Sequence, residues 1–77
     1  MKITKCLHEI LSAGYRVELA KADGSIYFLL LNPKRIPEPS GKLHFSIADE
    51  LFTQGPEVEI CKVLMTNFKK LKEISEG

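Results

Sequence analysis

Apolar residues recur at Ile3, Cys6, Leu7, Ile10 and Leu11, a spacing that lines one face of an α-helix. Lys2, Lys5, His8, Glu9 and Ser12 fall on the other face, and Gly14 follows as a residue suited to end the helix. The spacing predicts a helix over 2–13. From Tyr15 the period changes to two: Tyr15, Val17 and Leu19 alternate with Arg16, Glu18 and Ala20. Asp23-Gly24 is a strong two-residue hairpin signal, because both central residues of a type I′ turn need a positive φ. Beyond it, Ile26 to Leu31 is apolar at every position. The hairpin spans 15–31. If Asp23 and Gly24 form its turn, Ala22 faces Ser25, Leu19 faces Phe28 and Val17 faces Leu30. One face then carries Tyr15, Val17, Leu19, Ile26, Phe28 and Leu30. The other pairs Arg16 with Leu31, Glu18 with Leu29 and Ala20 with Tyr27. A slip of one residue would expose the first set, so burial holds the register.

Residues 32–41 contain three prolines and read as a loop, since proline lacks a backbone donor and disfavours helix and central strand alike. Residues 42–47 alternate again, with Leu43, Phe45 and Ile47 on one side, and predict a third strand beside Ile26–Leu31. A short helical segment follows over 48–54, where Ser46 and Asp49 have the spacing of a capping pair. Gly55-Pro56 marks a stop and a start. The last helix is expected over 56–75, with Ile60, Cys61, Leu64, Phe68, Leu71 and Ile74 as its stripe. Glu57 and Glu59 near its start and Lys69, Lys70 and Lys72 near its end complement the helix dipole.

The assembled expectation is one small α+β domain over residues 1–77: an α-β-β-β-α sandwich with two helices packed on one face of a three-stranded antiparallel sheet. The middle strand is apolar on both sides, and the helices suffice to cover only one. That leaves Tyr27, Leu29 and Leu31, with Arg16 at the rim, as the expected partner-binding surface, because contiguous exposed apolar surface marks interaction sites. A two-fold pairing of sheet faces would bury it without a second protein, so a homodimer is the expected assembly.

Composition narrows the reading further. With 77 residues the chain buries only about 60% of its unfolded surface, which leaves little room for a second core. The net charge of +1 supplies no overall field to recruit nucleic acid or a membrane. Two cysteines, Cys6 and Cys61, are too few for a disulfide framework and lack zinc-ligand spacing; both fall on apolar helical stripes. No metal or cofactor is expected. The N-terminal stretch interrupts its apolar positions with charges, unlike a signal peptide, and Ile26–Leu31 is too short to span a bilayer, so a cytoplasmic protein is expected.

The alternative reading is a nucleic-acid-binding accessory protein using Lys34 and Arg35 of the loop with Lys69, Lys70 and Lys72. The element order resembles that of double-stranded RNA-binding domains. Where that family has Gly-Pro-x-His in the hairpin loop and Lys-Lys-x-Ala-Lys opening the second helix, this chain has Asp23-Gly24 and the acidic pair Glu57 and Glu59. The opening Ile10-Leu-Ser-Ala-Gly-Tyr15 resembles the small mRNA-interferase toxins, but Lys21-Ala-Asp-Gly-Ser25 stands where their hairpin carries Gly-x-His. His8 and His44 have no nucleophile or partner at catalytic spacing, so no enzyme is expected. Leu7, Leu11, Gly14, Val17 and Leu19 resemble in layout the small docking domains of multimodular synthases. That resemblance implies an interaction module.

Overall fold

The computed structural model of the protein describes residues 2–35 and 39–76. The middle of the proline-rich loop, residues 36–38, lies outside them. In chain order the elements are α1 (Ile3–Ser12), β1 (Arg16–Ala22), β2 (Ser25–Leu31), a 3-10 turn (Pro39–Gly41), β3 (Lys42–Ala48), α2 (Asp49–Gln54) and α3 (Glu57–Glu76). The architecture is α+β, with helices on one side of a three-stranded antiparallel sheet ordered β1-β2-β3.

The hairpin follows from its turn. Asp23 and Gly24 have φ of 49° and 76°, the left-handed pair that a type I′ turn requires. Ala22 therefore faces Ser25, Leu19 faces Phe28 and Arg16 faces Leu31, the register expected from burial. Antiparallel β3 continues the ladder on the far side of β2, with Phe28 opposite Phe45 and Leu29 opposite His44.

α1 ends in a Schellman motif. The Gly14 amide donates to the Leu11 carbonyl at 3.0 Å and the Tyr15 amide to the Ile10 carbonyl at 3.3 Å. Ile10 and Tyr15 share one core cluster, so the cap also aims the chain into the sheet. β3 runs one residue further than its alternation suggested. Ser46 is still in the ladder opposite Tyr27, so the expected capping pair does not form, and Ala48 takes the N-cap without a side-chain bond.

Two clusters of buried side chains meet between sheet and helices. In the first, Phe28 and Ile47 pack with Cys6, Ile60, Cys61 and Leu64, and Leu51 and Phe52 of α2 join them. Phe28 stacks on Phe45 with ring centroids 4.9 Å apart. In the second, Tyr15 and Leu30 pack with Ile10, Phe68 and Leu71, and the Tyr15 ring meets Phe68 edge-on at 5.1 Å. The two long helices run in the same direction. The Ile3 amide donates to Glu57 Oε1 at 3.5 Å near their starts, and Ser12, Ala13, Ser75 and Glu76 border one cleft at their ends.

Some apolar positions expected inside are not. Leu11, Leu19 and Ile74 are exposed. Leu11 and Ile74 flank stripes wider than the contact they serve, and Leu19 sits on the inner side of edge strand β1. Among the described residues, no helix is long and apolar enough to cross a membrane.

Candidate functional site

The outer face of the sheet is built by the pleat. Every second residue of β2 that does not point to the helices points away from them, which places Ser25, Tyr27, Leu29 and Leu31 in one row. Their cross-strand neighbours are Ala22 and Ala48, Ala20 and Ser46, Glu18 and His44, and Arg16 and Lys42. α2 does not cross this face, since Leu51 and Phe52 join the opposite layer. Tyr27 is 45% exposed and Leu29 is half-buried, so together they form a ridge between smaller or polar side chains. Shallow hollows flank it. One, of about 230 Å³, is bordered by Glu18, Ala20, Tyr27 and His44; the other, of about 200 Å³, by Tyr27, His44 and Ser46.

Leu31 departs from the expectation. It is only 5% exposed and offers no contact surface. Its cross-strand neighbours are the long side chains Arg16 and Lys42, and the loop closes beside it where the Asn32 amide donates to the Gly41 carbonyl at 2.8 Å. Arg16 itself is exposed and lies 3.6 Å from Glu18 in an ion pair along β1. The apolar ridge is thus Tyr27 and Leu29, with Arg16 and Glu18 on one rim.

The five cations of the alternative reading do not converge on one cleft. Lys34 and Arg35 border a cleft of about 520 Å³ at the shared end of α1 and α3, together with Asn32, Ser75 and Glu76. Lys69 and Lys72 border a groove of about 550 Å³ between the two helices, alongside Glu9 and Glu73. Lys72 leans over the Phe68 ring with Nζ 5.4 Å from its centroid, and Lys70 borders neither depression.

The first of these clefts holds a polar network that the sequence pattern did not announce. Tyr15, Asn32 and Ser75 are all buried. The Asn32 amide nitrogen donates to Tyr15 Oη at 3.2 Å and to Ser75 Oγ at 3.0 Å. Ser75 Oγ donates to the Leu71 carbonyl at 2.7 Å, and the Tyr15 hydroxyl donates to the Glu76 carboxylate. Asn32 Oδ1 accepts from the Lys34 amide at 3.2 Å, and Arg35 Nε donates to the Ser75 carbonyl at 2.6 Å. No buried side-chain polar atom among the described residues lacks a partner, so this network latches the end of α3 to the base of the hairpin. Burial, and then the bond to Glu76, push the Tyr15 phenol above its ordinary range. One signal was readable: Ser75 continues the stripe of Leu64, Phe68 and Leu71, and a polar residue on a buried stripe needs a partner.

Gly41 serves the same corner. A Cβ there would lie 2.8 Å from Arg35 Cβ and 2.9 Å from its carbonyl carbon, so only glycine allows the loop to close. Cys6 and Cys61 lie in the core with their thiols hydrogen-bonded to each other, and burial, reinforced by Cys61, pushes the Cys6 thiol up to about 12. A thiol so protected is a poor nucleophile.

Comparison with models of known protein families, with characterised proteins and with solved structures gave no match.

Proposed function

We propose that the protein is a small non-catalytic interaction domain that self-associates through its outer sheet face. The observation that supports this most is the ridge of Tyr27 and Leu29, which no element among the described residues covers, with two shallow hollows beside it. A ridge beside grooves is self-complementary under a two-fold axis: the ring of one copy enters the hollow beside the ring of the other. Ala20, Ala22, Ser25, Ser46 and Ala48 keep that end of the face low enough for close approach.

Magnitude sets the kind of association. Three seven-residue strands present a face of roughly 15 by 23 Å, so two faces bury on the order of 700 Å² in total, below the size of a stable interface. The contact is therefore weak and concentration-dependent, with a dissociation constant in the micromolar range or above.

The test is substitution on the ridge. Leu29→Glu sets a carboxylate beside Glu18 and against its own symmetry mate. It removes this face's contribution to association in sedimentation equilibrium, and Tyr27→Ser weakens that contribution by about tenfold or more, in the range of an aromatic interface anchor. Association that persists unchanged in both variants contradicts the proposal. Binding through Lys34, Arg35, Lys69, Lys70 and Lys72 would instead show as capture of an oligonucleotide that weakens steeply with salt.

A further inference from the structure

Among the described residues β1 is an edge strand with no partner on its outer side, and it carries the exposed Leu19, 54% accessible on the inner side of the sheet. The two-residue turn makes Ala22 and Ser25 a hydrogen-bonded pair, and the alternation of an antiparallel ladder then fixes the rest. Glu18, Ala20 and Ala22 bond to β2. Val17, Leu19 and Lys21 turn their N–H and C=O groups to the open edge. No proline interrupts this strand, and among the described residues no strand pairs with its outer edge.

From this register we infer that β1 pairs antiparallel with β1 of a second copy, centred on Leu19, to make one continuous six-stranded sheet. The occupant follows from the side chains that this pairing opposes. Leu19 meets Leu19 of the second copy, Val17 meets Lys21, Glu18 meets Ala20 and Arg16 meets Ala22. No like charges face each other, and the exposed Leu19 is buried at the two-fold axis against the one side chain certain to match it. Lys21 is the inward-facing charge that commonly protects an edge, but its ammonium is drawn off to the Asp49 carboxylate at 3.3 Å. Shifting the centre to Lys21 sets its ammonium against its own mate; shifting it to Val17 keeps a favourable Arg16–Glu18 pair but leaves only residues 16–18 of the strand paired and removes the Leu19 contact. The axis of this pairing stands perpendicular to the sheet, so both outer faces stay on one side. A doubled face brings a face-to-face contact to on the order of 1,400 Å², within the range of stable interfaces. The edge pairing does not depend on the face contact.

Backbone amide exchange on the whole chain tests it. The Val17, Leu19 and Lys21 amides exchange freely in the monomer and slow by about tenfold or more as concentration rises through the dissociation constant. L19K, which places two ammonium groups against each other at the axis, removes that protection without unfolding the chain, since Leu19 is half outside the core already. L29E leaves it in place. A mass that rises with concentration while the Leu19 amide stays unprotected overturns the edge pairing and keeps the face contact. Protection of Leu19 with no response of mass to L29E does the reverse. A chain that stays monomeric at about 1 mM overturns both.

Discussion

Tyr27 and Phe28 are neighbours in the same strand, and the pleat sends them to opposite sides of the sheet. Phe28 meets Phe45 at 4.9 Å and Phe52 at 6.1 Å and sits in the larger core cluster with both cysteines. Tyr27 stands between Ala20 and Ser46 with nearly half its surface open. The helices were enough for one side, as the length of the chain requires. The contrast teaches that an all-apolar strand reports how much surface needs cover, and that the surrounding elements decide which half receives it. Leu31 refines the point, because it shares Tyr27's side and is buried all the same. Its cross-strand neighbours are Arg16 and Lys42 and the loop closes beside it, whereas Leu29, between Glu18 and His44, stays half-buried.

The sharpest break between the two sides is expected in stability. Phe28→Ala leaves a cavity among Phe45, Phe52 and Leu64 and costs about 3–5 kcal/mol in urea unfolding, while Tyr27→Ala costs under about 1 kcal/mol. Comparable losses from the two variants would erase the distinction. At the polar corner, Asn32→Ala strands Tyr15 and Ser75 and costs about 1–3 kcal/mol, and Gly41→Ala, which drives a methyl into the Arg35 backbone, costs a similar amount. Both are read from the same unfolding curves, and a neutral Asn32→Ala would show that the latch is ornamental.

The inner side also responds to alkali. Cys6 and Tyr15 hold their protons more tightly in the folded chain than in the unfolded one, as their raised pKa values state. Their stabilisation is complete below the ordinary values, about 9 for the thiol and about 10 for the phenol, and is lost as pH climbs through the folded ones, about 12 for Cys6. The urea midpoint therefore falls from about pH 9 upward, and Tyr15→Phe makes the fall shallower. The smallest effect is on the rim: Arg16→Ala, which removes an exposed ion pair with Glu18, changes stability by no more than about 0.5 kcal/mol.

Much of this could be read from the residues. The Asp23-Gly24 turn and the alternation of Val17 and Leu19 dictated the hairpin register pair by pair, and Leu43, Phe45 and Ile47 placed the third strand. Local signals of this kind suffice because side-chain period and turn chemistry act over a few residues. Burial at the margins was less legible. Leu19 has the same pattern value as Val17, yet two residues further along the edge strand it is 54% exposed while Val17 is half-buried. Leu31 reads like Leu29, and only its cross-strand neighbours separate them. The Tyr15–Asn32–Ser75 latch joins residues 17 and 43 positions apart, which no local period encodes.

The most direct test is the solution mass of the unaltered chain, followed by light scattering from about 10 μM to about 1 mM at low and high salt. An exposed ridge that binds its own kind predicts a mass that climbs with concentration and is indifferent to salt, as apolar contacts are. A single monomer mass across the whole series, at both salt levels, would contradict it.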